Sequence, residues 1–168
     1  MNKIIDQTFK VAIYLRLSKE DDDLSCSSGA KSESNSISNQ RKLIYDFMKL
    51  HPELELYDEY KDDGKSGSNF DRAEFQRMMK DIEAGKVNCV VVKDQSRFGR
   101  DYIDVGKYKE KIFPKLGVRF ITINEGYDSL SATSSDDLAF TINSFVYDFY
   151  IRDISTKIRT NLTAKKQN

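Results

Sequence analysis

The chain has 168 residues, enough for one hydrophobic core and an appendage, and its 39% hydrophobic and 11% aromatic content is that of an ordinary globular domain. Lysine plus arginine and aspartate plus glutamate both number 27, so the neutral balance gives no sign of a polyanion partner and the distribution of charge matters more than its sum. Cys26 in a polar stretch and Cys89 in an apolar one make neither a disulfide framework nor a metal-ligand pattern, and no run reaches the roughly 18 apolar residues of a membrane span, so a reduced cytoplasmic setting is expected.

In chain order, the first predicted element is a strand from Lys10 to Leu17, built on Val11-Ala12-Ile13-Tyr14-Leu15 and ending in Arg16-Leu17-Ser18. From Lys19 to Asn35 the chain is serine-rich, carries the acid run Glu20-Asp21-Asp22-Asp23 and lacks large apolar residues, which reads as a long mobile loop. Ile37, Leu43, Ile44, Phe47 and Leu50 then mark the apolar face of a helix, and Leu54 to Tyr60 a second strand. A second helix opens at Asp71 with Glu74 at capping-box spacing, turns Phe75, Met78, Met79 and Ile82 inward, and stops at Gly85. Val87 to Lys93 is the third strand, about Asp101 to Phe113 the third helix, and Val118 to Asn124 the fourth strand. Strands alternating with helices of this length imply an α/β domain with a mainly parallel sheet flanked by helices on both faces.

A last helix runs from about Asp136 to Ala164, free of Gly and Pro, with Leu138, Ile142, Phe145, Phe149, Ile154, Ile158 and Leu162 at helical spacing. At ~1.5 Å per residue it would be ~45 Å long, more than a small sheet covers, so part of its apolar face is expected to pack on a second subunit. The alternative is one more core helix that frays beyond Arg159. Base gathers at Lys107, Lys109, Lys111 and Lys115 and again from Arg152 to Lys166, which makes the C-terminal end the expected polyanion contact.

The chemistry concentrates where strands give way to helices. In a parallel α/β sheet the strand C-termini line a ligand crevice, so Ser18 and the segment Asp94 to Arg100 are expected to face one space. Arg97 and Arg100 flank Gly99 at a strand-to-helix turn, where guanidinium forks match phosphate oxygens. A serine needs its proton removed or its charge stabilised before it attacks. His51, the single histidine, lies beside Pro52 at a helix end, so a Ser-His hydrolase lacks its base. Arg16, Arg72, Arg97 and Arg100 offer another route, a cationic cage for a phosphoryl transition state built without metal. Taken singly, Ser18 reads as a turn residue, Arg72 as surface and Gln40 as a helix-surface amide.

Together these pieces resemble the catalytic domain of the serine recombinases, the resolvase and invertase superfamily. Tyr14-Leu15-Arg16-Leu17-Ser18 is similar to the family's first-strand motif, with an arginine two before the nucleophilic serine. Ser36-Ile37-Ser38-Asn39-Gln40 resembles the helix start that supplies an active-site glutamine, and Asp63-Gly64-Lys65-Ser66-Gly67 followed by Asp71-Arg72 the segment that delivers a further arginine. Ser96-Arg97-Phe98-Gly99-Arg100-Asp101 matches the block whose arginines contact the scissile phosphate. The wording of residues 93 to 102 and the long loop after strand one are most similar to the large serine recombinases of conjugative and mobilisable transposons.

The resemblance implies a resolvase-like three-layer domain with a four- to five-stranded sheet over residues 1 to 134 and a long dimerisation and DNA-approach helix over 135 to 168, cut before the zinc-ribbon and other DNA-binding parts. It implies a site-specific DNA recombinase in which Ser18 forms a 5′-phosphoserine link, Arg16, Arg72, Arg97 and Arg100 stabilise the transition state and Gln40 positions the phosphate or the serine. The implied partners are double-stranded DNA at attachment sites and further copies of the chain, a dimer that becomes a tetramer in the synapse, in a bacterial cytoplasm where DNA binding brings it to the nucleoid. No cofactor, ATP or divalent metal is implied. Small resolvases place an aspartate directly before the first arginine of the third motif; here that position is Ser96, with Asp94 two residues earlier, and both are carried as candidates. Their acidic residue in the long helix falls near Thr156, while Lys157 and Arg159 supply basic character suited to the DNA backbone.

Two rival readings stand beside it. One is an α/β phosphoacceptor or Mg²⁺-binding domain using Glu20 to Asp23 and Asp94, since hard cations prefer carboxylates. The other is a non-enzymatic dimerisation module in which the long helix is the function and the sheet its scaffold.

Overall fold

The computed structural model describes residues 7–17, 35–62, 71–99 and 101–166. Its first element, β1 (Phe9–Arg16), is buried at every position except Lys10. Alternate β1 residues feed two separate cores: Val11, Ile13 and Leu15 enter one, Ala12 and Tyr14 the other. That is why the strand reads as a continuous apolar run rather than as an alternating one; a central parallel strand is covered on both faces.

The chain continues through α1 (Asn35–Lys49), β2 (Leu54–Asp62), α2 (Ala73–Glu83), β3 (Cys89–Val92) and the one-turn α3 (Gln95–Phe98). Then come α4 (Tyr102–Lys107), a π-helical turn (Tyr108–Ile112), α5 (Phe113–Leu116), β4 (Arg119–Thr122), β5 (Tyr127–Asp128) and α6 (Ser134–Lys166). Among the described residues the strands form one five-stranded sheet in the order β2-β1-β3-β4-β5. β1 pairs in parallel with both β2 and β3, β3 pairs in parallel with β4, and β5 returns antiparallel. The α/β class and mainly parallel sheet expected from the alternation of elements are what the chain adopts.

Helix α1 supplies Ile37, Ile44 and Met48 to the core on one face of the sheet. Leu50, expected on that buried face, is 79% exposed, because the helix ends at Lys49 and the chain turns away into β2. On the other face α2 buries Phe75, Met78, Met79 and Ile82, the residues its spacing selects. Its start differs from the expected capping box: α2 begins at Ala73, Arg72 holds the cap position without a side-chain cap bond, and Asp62 accepts from the backbone N–H of Glu74 at 3.1 Å and of Phe75 at 3.0 Å. The orphan N–H groups of the helix are thus satisfied by the last residue of the neighbouring strand.

The π-helical turn buries Lys109, whose ammonium pairs with Asp137 at 2.7 Å above the rings of Tyr127 and Phe140. This lysine is therefore withdrawn from the expected basic surface and instead anchors the first turns of α6. Further along α6 the residues turned toward the domain are Phe140, Ser144 and Asp148, while Leu138, Ile142, Phe145 and Phe149 are 52% to 65% exposed. The helical period was legible, but these four residues are turned largely to the outside, Phe145 keeping an edge contact with Tyr102, and the side chains of Ile154, Ile158 and Leu162 lie outside the described set. No helix among the described residues is long and apolar enough to cross a membrane. The expected loop from Lys19 to Asn35 lies outside the described residues up to its last member, Asn35, which opens α1.

Candidate active site

Parallel pairing places the C-terminal ends of β1, β2 and β3 at one edge of the sheet. The order β2-β1-β3 makes the gap between β1 and β3 the point where the winding reverses, and open α/β sheets bind ligands at such switch points. Arg16 closes β1 there, and Asp94 to Phe98 follows β3.

Arg16 is 1% exposed, and its guanidinium does not point to solvent. Its Nε donates to the carbonyl of Arg97 at 3.0 Å and its Nη2 to the carbonyl of Ser96. Arg72, 4% exposed, donates from Nη2 to the carbonyl of Phe98 at 2.9 Å and from Nη1 to the Tyr14 hydroxyl at 2.7 Å. Three consecutive carbonyls at the C-terminal end of α3 are therefore held by two guanidinium groups from β1 and the start of α2. Carbonyls at the end of a helical turn are acceptors that a guanidinium, with its several donors, satisfies well.

The Tyr14 hydroxyl passes the link on, donating to Asp62 Oδ2 at 2.9 Å. Burial pushes the Tyr14 phenol well above its ordinary range; the nearby Arg72 pulls it down, and Asp62 adds to the rise. It is consequently a neutral donor to Asp62 and an acceptor from Arg72, and the carboxylate that caps α2 also orients the arginine beside it.

Gln40, on α1 and 1% exposed, turns its amide onto the backbone of Arg16: Nε2 donates to the Arg16 carbonyl at 3.2 Å and to Ser36 Oγ at 3.2 Å, and Oε1 accepts the Arg16 N–H at 3.4 Å. The amide fixes the end of β1 as a neighbouring strand would. Arg97, half-buried, donates from Nη1 to the same Arg16 carbonyl at 3.3 Å. Asp94 caps α3, its Oδ1 accepting from Ser96 Oγ at 2.6 Å and from Arg97 N–H at 3.1 Å. The structure thus brings Arg16, Gln40, Arg72, Asp94, Ser96 and Arg97 to one end of the sheet.

Ser18 and Arg100 lie outside the described residues, next in the chain to Leu17 and Gly99, as does the segment Asp63 to Gly67. Lys157 is exposed on α6, about four turns beyond Ser144, and pairs with Asp153 at 2.7 Å. Arg159 lies on the same helix, its side chain outside the described set. Among the described residues no group of three or more His, Cys, Asp or Glu is placed to hold a metal ion, and Glu20 to Asp23 lie outside them.

Sequence reasoning left out Tyr14 and Asp62 as site residues, although both stand at strand C-termini where polar groups are conspicuous. It also left out Gln95 and Glu125: the Gln95 N–H donates to Glu125 Oε1 at 3.2 Å across 30 residues of chain, and no local pattern announces such a contact.

The model of the family described as Resolvase, N terminal domain, matches residues 11–168. Among solved structures, the N-terminal catalytic domain of TP901-1 integrase is similar at 27% identity and TM-score 0.63, over 85% of this chain and 97% of that one. A resolvase family site-specific recombinase from Streptococcus pneumoniae is similar at 27% identity and TM-score 0.58, over 96% and 100% of the two chains. The C-terminal catalytic domain of ISC1926 TnpA, an IS607-like serine recombinase, shares the fold at 17% identity and TM-score 0.54, over 89% and 98%. No curated protein sequence matches the chain.

Proposed function

Since the chain belongs to the resolvase N-terminal domain family, enzymes that cleave and rejoin DNA, we propose that it does so through a covalent bond between Ser18 and DNA. The observation that carries this reading is the convergence of Arg16, Arg72 and Arg97 with Gln40 at the β1/β3 switch point, directly beside the chain position of Ser18. Ser18 Oγ attacks a backbone phosphorus, and its proton is lost as the new P–O bond forms. The bond to the 3′ oxygen breaks, and that oxygen takes up a proton. The products are a 5′-phosphoserine link and a free 3′-hydroxyl, and the reverse attack by a 3′-hydroxyl of another end rejoins DNA without ATP.

Charge on the phosphoryl oxygens rises through this step, so fixed cations in a partly dehydrated site lower its barrier. Arg97 and Arg100 are assigned to the scissile phosphate. Arg16 and Arg72, anchored on the carbonyls of α3, hold the turn that carries Arg97 and add their positive charge to it. Gln40 fixes the backbone immediately before Ser18. Asp94, bonded to Ser96 at this end of the sheet, is the carboxylate assigned to proton transfer.

The outward apolar stripe of α6 supports a second copy of the chain as its partner, with residues 1 to 134 as the catalytic unit and 135 to 168 as the dimerisation and DNA-approach helix. Lys157 and Arg159 are assigned to the DNA backbone, dimers to a tetramer in the synapse, and the reaction to excision and integration of a mobile element. The test is a nicked recombination-site substrate incubated with the protein in EDTA and resolved on a denaturing gel. A band of protein joined to DNA 5′ ends, absent with Ser18→Ala, is expected; an adduct that survives the substitution contradicts the assignment of the nucleophile.

A further inference from the structure

The turn that carries Arg97 has a second set of partners, all leading to α6. Gln95 opens α3 and is 1% exposed; its side-chain Oε1 accepts from Ser144 Oγ on α6. Its backbone N–H donates to Glu125 Oε1 at 3.2 Å, and the same carboxylate oxygen accepts from the Tyr147 hydroxyl of α6 at 3.3 Å. Glu125 sits in the turn between β4 and β5, so three separate parts of the chain meet at the first residue of α3.

Elsewhere this protein seats its helices by apolar burial. The first turns of α6 follow that rule through Phe140, but beyond it the helix buries Ser144 and Asp148 against the domain while Leu138, Ile142 and Phe149 are more than half exposed and Phe145 makes only an edge contact to Tyr102. Apolar contact is non-directional and tolerates sliding, whereas a buried hydrogen bond is lost once its geometry fails. A rotation of α6 by one residue, about 100°, separates Ser144 from Gln95 and Tyr147 from Glu125 together. Burial holds the Glu125 carboxyl above its ordinary range, and the neighbouring Asp94 adds to that.

We propose that Gln95, Glu125, Ser144 and Tyr147 form a polar latch through which α6 sets the position of the Asp94 to Phe98 turn, making Glu125 and Ser144 positioning residues for the arginines of the site. The inference rests on the reading above, in which Arg97 meets the scissile phosphate. Transmission is short. Gln95 and Gly99 close α3 into a single turn, Arg97 N–H is held by Asp94, and the carbonyls of Ser96 and Arg97 carry Arg16, so a shift at Gln95 moves both guanidinium groups. A second copy of the chain packing on the outward stripe of α6 would act on the site by this route, without touching it.

The test compares amide hydrogen exchange in the whole chain, read residue by residue by NMR, for Ser144→Ala, Tyr147→Phe, Glu125→Ala and Glu125→Gln. The rate of covalent adduct formation on one nicked recombination-site DNA is measured alongside. Glu125→Ala removes the acceptor of the Gln95 backbone N–H and Ser144→Ala the anchor of the Gln95 side chain on α6, so in both the Gln95 backbone amide should exchange about five-fold faster. Glu125→Gln keeps an acceptor for both the Gln95 N–H and the Tyr147 hydroxyl, so it should stay within about two-fold of the parent. Adduct formation should slow about ten-fold in the two alanine variants at unchanged DNA affinity, and recover with glutamine. Should Glu125→Ala fail to fold, Ser144→Ala and Tyr147→Phe remove single hydroxyls and carry the comparison. A Gln95 amide exchanging at the parental rate in Ser144→Ala and Tyr147→Phe overturns the latch. Adduct formation as slow in Glu125→Gln as in Glu125→Ala overturns it too, by making the carboxylate itself the requirement. If the parent forms no adduct at all, the recombinase reading fails, and the exchange ratios decide the latch by themselves.

Discussion

Replacing Tyr14 by phenylalanine takes one oxygen from the middle of a buried relay. That oxygen accepts from Arg72 Nη1 at 2.7 Å and donates to Asp62 Oδ2 at 2.9 Å, and Tyr14, Asp62 and Arg72 are all buried. Neither partner is wholly orphaned: Arg72 keeps the Phe98 carbonyl, and Asp62 keeps the N–H groups of Glu74 and Phe75. The ring stays, and with it the edge contact to Phe75 at 5.6 Å between centroids, so the change is purely polar. Two hydrogen bonds to charged groups are lost, each worth about 1.5–3 kcal/mol, and the retained partners favour the lower figure, giving a destabilisation of about 3 kcal/mol. Urea unfolding followed by circular dichroism measures this directly, with an unchanged denaturant slope showing that the folded state has not loosened. A cycle with Asp62→Asn should return a coupling of about 1–2 kcal/mol. A loss below about 1 kcal/mol, with no coupling, would mean that Arg72 is positioned by other contacts and would refute the relay.

Arg16→Lys keeps the charge but loses the fork that reaches two carbonyls, so stability should fall by about 2 kcal/mol in the same urea assay, and adduct formation by about ten-fold or more. Phe98→Ala removes a ring whose centroid lies 4.8 to 5.8 Å from those of Phe75, Tyr108, Phe113 and Phe120, and should cost about 3–5 kcal/mol in urea unfolding while detaching α3 from the core. The Glu125 carboxyl sits above its ordinary 4.5 through burial, so the folded chain binds that proton more tightly than the unfolded chain does. Its contribution to stability should therefore decline as pH rises from 4.5 through the raised folded value, and Glu125→Gln should remove that slope from unfolding free energies measured at stepped pH. Phe149→Glu places a charge in the outward stripe of α6 and should shift the chain toward monomer in sedimentation velocity, with its thermal unfolding at low concentration little changed.

Much of the fold was legible because it is written in local chemistry. β1 declares itself by an apolar run that is buried on both faces, and α2 by four residues at helical spacing that all reach the core. Where reading failed, the partner lay far along the chain. The cap of α2 comes from Asp62 rather than Asp71, because the end of β2 reaches the helix start in space. β5 has two residues, too few for any period to register. In α6 the spacing picked out the helical period, yet periodicity carries no information on which side the domain lies: Phe140, Ser144 and Asp148 occupy the inner face, while Leu138, Ile142, Phe145 and Phe149 are more than half exposed. The site followed the same division. Arg16, Gln40, Arg72 and Arg97 were readable as ordered motifs, whereas Glu125 and Ser144 become meaningful only once β4, α3 and α6 are brought together.

The central claim is that Ser18 carries the DNA. It is tested most directly by trapping the adduct in EDTA, digesting the DNA to a nucleotide stub and locating that stub by tandem mass spectrometry. The account predicts a phosphodiester-linked 5′ nucleotide on Ser18. A stub on any other residue, or attachment through a 3′ phosphate, would contradict it.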